Sequence, residues 1–370
     1  RHVNLKMKKL NPSRKISIDK KNISMEDSVY FIAEIGSNFD NDLSRAKDLI
    51  YMAKEAGADA AKFQHYAAKS LVSDFEFKEM ASKESLQSHQ SKWKKSVYKT
   101  YKDAMLDQDW TKILQETCVD AGISFFTSPY SFELVDYVNE YVPAYKVGSG
   151  DITWIEIIEH MSSKGKPIML ATGASNMVDV HRAVDAILKI TPDIIILQCN
   201  TNYTKNKNNF NYLNLNVITE YQKKYPGVIT GLSDHMPGHV SVLGAVSLGA
   251  RVIEKHFTDS IHRHGPDHSF SMTPVTWKEM ISRTRELEAA LGDGHKKIEE
   301  NEKETVIVQR RSLCAVKKLK EGIKINKQDL TALRPCQDDG IPPFEIENII
   351  GKTIKREVKS GEHIKWSNII

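Results

Sequence analysis

VITGLSDHMPGHVSVLGAVSLGARVIEKH (228–256) is the stretch whose reading decides the fold. VITGLS (228–233) and RVIEK (251–255) are short apolar runs with β-branched residues, and each is expected to be a buried strand. Between them, VSVLGAVSLGA (240–250) has the small residues of a helix that packs closely on a sheet. A strand–helix–strand unit makes its two strands parallel neighbours. His235 and His256 then fall at the same, C-terminal end of both strands. Of the thirteen histidines, six crowd between residues 231 and 268: His235, His239, His256, His262, His264 and His268. A lone histidine says little, but two imidazoles at one end of adjacent parallel strands can grip a single metal ion.

Working outward, the same rhythm repeats. Strands are expected at YFIAE (30–34), AAKFQ (60–64), ISFFT (123–127), AYKV (144–147), PIMLA (167–171) and IIILQC (194–199), ahead of the two histidine strands. Helical patterns at 43–56, 110–121, 131–141, 154–164, 179–189 and 215–225 alternate with them. Eight strands alternating with helices is the pattern of a (β/α)₈ TIM barrel. An open doubly wound sheet usually shows Gly-x-Gly-x-x-Gly after its first strand; here that turn reads Gly36-Ser37-Asn38. Residues 67–107 form a long polar insertion, expected to be a lid or site wall.

Sites of barrels lie at the C-terminal ends of the strands. Those ends carry Glu34, Lys62 and Gln64, Thr127 and Ser128, Lys146 and Ser149, Thr172, residues 200–203, Ser233 to His235, and Glu254 with His256. Lys62 and Lys146 fall inside apolar strands, where lysine is costly unless paired. Period-two alternation puts Lys62 with Gln64, and Glu254 with His256, on shared faces. Two lysines, several hydroxyls and the turns Gly148-Ser149-Gly150 and Thr172-Gly173 suit a phosphate. Beside a metal and a buried acid, the set points to a small phosphorylated or carboxylated substrate and to metal-polarised carbonyl chemistry.

The rest bounds the function. Net charge is +4 over 370 residues with no basic face at helical spacing, so no nucleic-acid partner is expected. No apolar run approaches a membrane span, and the basic, polar opening from Arg1 does not read as a signal peptide. Four separated cysteines without Cys-x-x-Cys fit a reducing cytoplasm. Residues 1–28 read as a flexible or hairpin-like lead-in, 29–291 as the barrel, and the charged stretch 292–305 as a linker with room for a short helix. Residues 306–370 form a small module with an internal echo: Leu319-x-x-Gly322-x-x-Ile325 and then Leu330 match Val358-x-x-Gly361-x-x-Ile364 and then Ile369. The echo predicts a pseudo-symmetric, mainly β fold.

FIAEIGSN (31–38), AGADAAKFQ (56–64), FFTSPYS (125–131), YKVGSGD (145–151), ATGAS (171–175), GLSDHMPGH (231–239), RVIEKHFT (251–258) and GPDHSFSM (265–272), taken together, resemble the sialic acid synthases. The module with ALRP (332–335) and GIPP (340–343) resembles the antifreeze-like (SAF) domain of those enzymes. The resemblance covers nearly the whole chain from residue 29. It implies condensation of phosphoenolpyruvate with an N-acetylated amino sugar, N-acetylmannosamine first, to give N-acetylneuraminate and phosphate. The same chemistry on N-acetylmannosamine 6-phosphate or a 2,4-diacetamido-trideoxyhexose stands as the alternative. It implies His235 and His256 as ligands of a divalent ion, manganese before magnesium or cobalt, and Glu34 as the active-site glutamate. Lys62, Thr127, Lys146, Ser149, Thr201 and Ser233 match contacts to phosphoenolpyruvate; Gln64, Tyr203 and Asp267 match contacts to the amino sugar. Arg334 matches an arginine that enters the partner's site in a domain-swapped homodimer. Three departures stand out: Ala171 where some members have Ser, Asn200-Thr201-Asn202 before the tyrosine, and Met236 in place of Thr. Glu254 either orients metal-bound water or forms a structural ion pair. The antifreeze-like module argues against a sister synthase making other 3-deoxy sugar acids. Strand one ends without the His-x-His of a metal-dependent barrel hydrolase, and the retained acid, lysines and histidines argue against a carbohydrate-binding barrel without activity.

Overall fold

The computed structural model describes residues 10–83, 89–204, 206–337 and 339–370, with Lys92 described by its backbone alone. The chain forms two compact units that divide after Gly292.

The first unit opens with an antiparallel hairpin of β1 (Lys15–Ile18) and β2 (Lys21–Ser24). Eight strands follow: β3 (Tyr30–Glu34), β4 (Ala60–His65), β5 (Ser124–Pro129), β6 (Tyr145–Val147), β7 (Ile168–Ala171), β8 (Ile194–Cys199), β9 (Ile229–Asp234) and β10 (Val252–His256). Their order is β5-β4-β3-β10-β9-β8-β7-β6, every hydrogen-bonded pair parallel. The two outermost strands of that order, β5 and β6, are consecutive in the chain, so the sheet curls into a nearly closed barrel. This is the expected (β/α)₈ architecture. The helices form locally for ordinary reasons. In Leu43–Glu55, Asp42 caps the first turn by accepting from Arg45 N, and Ala46, Leu49, Ile50 and Ala53 bury one face. Pro274–Leu291 starts with proline in its first turn behind the Thr273 cap.

Alternation along each strand sorts residues between two cores. Outward positions such as Phe31, Ala61, Phe63 and Phe125 pack under the helices. Inward positions Tyr30, Ile32, Ala60, Phe126, Ala144, Met169, Ile195, Leu197, Ile229 and Val252 fill the barrel's N-terminal half, together with Ile16, Ile18 and Ile23 of the hairpin. The described part of the lead-in, from residue 10, therefore holds a hairpin that plugs the lower end, and residues 1–9 lie outside the described residues. Among its described residues the insertion after β4 forms the short α-helices Ala68–Leu71, Asp74–Ser82 and Val97–Asp103.

The second unit pairs β11 (Ser312–Ala315) antiparallel with β12 (Leu330–Leu333) around its own apolar core. A helix, Lys303–Gln309, precedes β11 and crosses the end of the stretch expected to be a linker. The internal echo is real symmetry. Leu319 and Val358 exchange reciprocal backbone bonds of 2.9 Å, placing a pseudo-two-fold axis between them. Pairings on either side have mates 39 positions on: Gly322 N to Ile354 O at 2.8 Å matches Gly361 N to Ala315 O at 2.8 Å, and Ile325 N to Lys352 O at 2.9 Å matches Ile364 N to Leu313 O at 2.7 Å. Gly322 and Gly361 both turn through positive φ, +83° and +80°.

Candidate active site at the C-terminal end of the barrel

Moving one inward position up from the apolar layer changes the chemistry. Ile32 gives way to Glu34, Ala60 to Lys62 and then Gln64, Phe126 to Ser128, Ala144 to Lys146, Leu197 to Cys199, Gly231 to Ser233, and Val252 to Glu254 and His256. Parallel register sets His256 beside Glu34, Glu34 beside Lys62, and Glu254 beside Ser233. The result is a cavity of about 110 Å³ whose lining includes Glu34, Lys62, Gln64, Lys146, Ser149, Tyr203, Ser233, His235 and His256. Those nine are all sequence-predicted site residues.

Two buried ion pairs organise it. Lys62 Nζ pairs with Glu34 Oε2, at side-chain exposures of 3 % and 1 %. Lys146 Nζ donates to Glu254 Oε1 at 2.7 Å. Glu254 also accepts from Ser233 Oγ at 3.1 Å and has Lys62 Nζ at 3.8 Å, so it bridges both lysines. Gln64 Nε2 donates to Glu34 Oε1 at 2.8 Å, and Lys62 Nζ to Ser128 Oγ at 3.3 Å. The two carboxylates diverge. Burial raises Glu34 to about 7 against the pull of Lys62. Burial would raise Glu254 too, but Lys146 and Lys62 outweigh it and hold that carboxylate well below its usual range. One acid can thus hold a proton near neutral pH while its neighbour stays ionised.

The two histidines stand side by side, ring centroids 5.5 Å apart. Burial lowers both to about 3; His256 adds to the lowering at His235, and Lys62 to that at His256. Both are therefore neutral and keep a lone pair. His235 Nδ1–H donates to the Asn200 carbonyl at 2.9 Å, which leaves Nε2 as the free acceptor. His256 Nδ1 is buried and has no hydrogen-bond partner among the described residues. These donors fit a divalent ion. Among the described residues no cluster of three or more His, Cys, Asp or Glu could hold one, so water or substrate would complete the coordination. His235 is fixed from behind: Lys255 Nζ donates to Asp234 Oδ2 at 2.5 Å and to Met236 O at 2.7 Å, clamping the residues on either side of it. His268, by contrast, is structural, bonded to Asp40 at 2.7 Å and Thr258 at 2.8 Å.

Gly36 brings the acids together. Its φ is +54°, and a Cβ there would lie 2.8 Å from Asp267 Oδ2, 3.3 Å from Glu34 Oε1 and 3.6 Å from His256 Cε1. Asp267 accepts from Ser37 Oγ at 2.8 Å. It lines an adjoining cavity of about 380 Å³ with Gln64, Tyr203 and His256, walled by Tyr66, Trp93 and Tyr101. The insertion does form a site wall.

Two predicted residues of the barrel fall elsewhere. Thr127 faces outward from β5, where its Oγ1 bonds His65 Nδ1 at 2.7 Å; Ser128 takes the inward place beside Lys62. Alternation from the buried Phe126 is the signal that separates the two. Thr201 sits where its methyl would meet a Cβ on Gly173, whose N–H donates to Ser149 Oγ at 2.9 Å. It is absent from the lining of either cavity. Arg334 is exposed on the second unit. Sequence reading also missed Tyr66 and Tyr130, which continue the inward alternation past Gln64 and Ser128, and Phe270, which lies 4.8 Å from the His256 ring.

Comparison with known proteins gives the family. The sequence model of the NeuB family matches residues 49–296, and that of the SAF domain matches 310–370. The N,N'-diacetyllegionaminic acid synthase of Legionella pneumophila is 33 % identical over 347 residues, 92 % of this chain and 94 % of that protein. The human N-acetylneuraminate-9-phosphate synthase is 33 % identical over 336 residues, 90 % of this chain and 91 % of its own. A crystal structure of the N-acetylneuraminic acid synthetase from Leptospira borgpetersenii, in complex with citrate, aligns with a TM-score of 0.68 at 28 % identity, covering 80 % of this chain and 96 % of that one. With a family match across most of the barrel and relatives aligned nearly end to end, the chain belongs to the NeuB family and ends in a SAF domain.

Proposed function

We propose that the protein condenses phosphoenolpyruvate with the open-chain form of an N-acetylated amino sugar of the N-acetylmannosamine class and releases phosphate by C–O cleavage. The observation that carries this is the pairing, in one cavity, of two buried lysine–glutamate pairs with two neutral histidines. Lys62 and Lys146 supply positive charge for the anionic donor, and Ser128, Ser149 and Ser233 supply hydroxyls around it. His235 and His256 hold a divalent ion, manganese first, which when bound polarises the aldehyde of the sugar.

The donor then attacks the aldehyde carbon through its C3. Water adds at its C2, and the tetrahedral hemiketal phosphate expels phosphate. Glu34, raised to about 7 by burial, takes or returns a proton in these steps. Glu254 is read as the anchor that keeps both ammonium groups in place. Gln64 and Asp267 face the acceptor. In the dimer implied by the resemblance, Arg334 of one copy completes the acceptor site of another. Phosphate release from phosphoenolpyruvate, measured with and without N-acetylmannosamine, tests the reaction: sugar-dependent release is expected, and release independent of any sugar would sink it. Mixing Arg334→Ala with His235→Ala and allowing subunit exchange tests the shared site. Recovery of up to about a quarter of wild-type activity is expected from random pairing.

A further inference from the structure

We infer that Asp234 and Lys255 are positioning residues for the metal site: their ion pair, on the helix-facing side of β9 and β10, fixes His235 at the place from which it shares an ion with His256. The inference rests on the proposal that the two histidines are ligands, and it adds the residues that set their spacing. In both strands the pair stands one residue ahead of the ligand, Asp234 before His235 and Lys255 before His256.

The sheet holds one ligand and lets go of the other. His256 lies inside β10 in register with Glu34 of β3, and the next residue, Phe257, donates its N–H to the Glu34 carbonyl at 2.7 Å. The ladder between β9 and β10 ends at the row of Asp234 and Lys255, and β9 itself ends at Asp234. His235 is the first residue past that end. Side chains take over there. Lys255 Nζ donates to Asp234 Oδ2 at 2.5 Å and to the Met236 carbonyl at 2.7 Å, reaching across His235. Asp234 Oδ1 accepts from the Met236 N–H at 3.1 Å, which closes a turn around His235. Ser241 Oγ, on the helix Val240–Ser247, donates to Asp234 Oδ2 at 2.5 Å and ties that turn to the helix. Both flanks of His235 are thus bound to one ammonium group, and that group belongs to the residue before His256. Moving one imidazole relative to the other has to stretch this pair.

The pair stands where burial argues against charge. The preceding outward residues of the two strands, Leu232 and Ile253, are apolar and fully buried, and the side chains of Lys255 and Asp234 are themselves 1 % and 0 % exposed. A pair so deeply buried gives little net stability, and apolar residues of similar volume can take its place in a core. What they cannot supply is direction: hydrogen bonds that fix the backbone on either side of a ligand. Groups that hold a metal ligand from behind are worth about 10- to 100-fold in metal affinity or activity.

The test is manganese binding to the full-length protein, by calorimetry and without substrates. Asp234→Asn combined with Lys255→Met removes both charges together, keeps their volume and keeps an acceptor for the Met236 N–H. In that double variant the Kd for manganese should rise about 10- to 100-fold. Its Tm should change by only a few degrees, and phosphoenolpyruvate binding, measured without metal, should be unchanged, a split that general loosening of the fold would not give. Ser241→Ala cuts only the tie to the helix; it should weaken manganese binding a few-fold and stands in if the double variant does not fold. The inference is overturned if manganese binds the folded double variant as tightly as it binds the wild type, or, should that variant not fold, if it binds Ser241→Ala as tightly. A parallel loss of phosphoenolpyruvate binding also overturns it. Wild-type protein that binds phosphoenolpyruvate but no manganese would instead bring down the assignment of the two histidines as ligands.

Discussion

At its lower end the barrel interior is dry: Ile32, Phe126, Met169, Ile195 and Leu197 meet Ile16, Ile18 and Ile23 of the hairpin. At its upper end the same strands present two acids, two lysines and two histidines. On most strands the change happens within one alternate position; on β7 Met169 is followed inward by Ala171. The lower layer supplies the burial that the upper layer cannot, because buried charge gives little net stability. Stability and chemistry are therefore separable by substitution, although one set of strands carries both.

Substitutions at the histidines should separate them most sharply. His235→Ala or His256→Ala should cut turnover to below about one-hundredth, since losing a ligand costs at least as much as losing a group that orients one. Tm should change by only a few degrees, and metal binding followed by calorimetry should weaken in parallel. Full activity in chelator-treated buffer would break the assignment. Next in size are Lys62→Met and Lys146→Met. Each removes a charge-assisted contact and should raise KM for phosphoenolpyruvate about ten- to a hundredfold. An equal rise in the KM of the sugar would show the lysines to be structural. In the lower layer the effect should reverse: Ile23→Ala should cost about 2–4 kcal/mol of stability by leaving a cavity, with kcat/KM at 25 °C unchanged. A drop in kcat/KM without a drop in Tm would mean the two layers are not independent. The finest cut lies within β5. Ser128→Ala should raise KM for phosphoenolpyruvate a few-fold. Thr127→Val should leave kinetics alone and cost about 1 kcal/mol through the lost bond to His65.

Much of this layout can be read from residues alone. The eight strands announce themselves because β-branched runs alternate with amphipathic helices, and Lys62 and Lys146 stand out because an unpaired lysine does not survive in such a run. What defeats the reading is direction and distance. Thr127 and Ser128 are adjacent hydroxyls, and only strand phase decides which enters the cavity. The fate of Lys62 depends on Glu34 one strand away, and that of Lys146 on Glu254. The latter pairing gives Glu254 the ion pair of one reading, through Oε1, while its Oε2 is buried with no hydrogen-bond partner among the described residues. The aromatic wall was illegible because Tyr66 and Trp93 meet through Tyr101, by packing that no local periodicity encodes. The hairpin stayed ambiguous because four-residue strands carry almost no period.

The two-fold axis between Leu319 and Val358 has a consequence for ancestry. Each half of the second unit pairs within itself, as β11 does with β12, but the backbone partners of Leu319, Gly322 and Ile325, and of Val358, Gly361 and Ile364, come from the other half, and the apolar side chains of both halves share one core. Such interlocking is what a tandem duplication leaves behind when the original short chain closed its core by pairing with a second copy of itself. A peptide containing one half alone inherits that requirement: it should fold only as fast as it can find a twin, and its folding should depend on concentration where that of the intact unit does not.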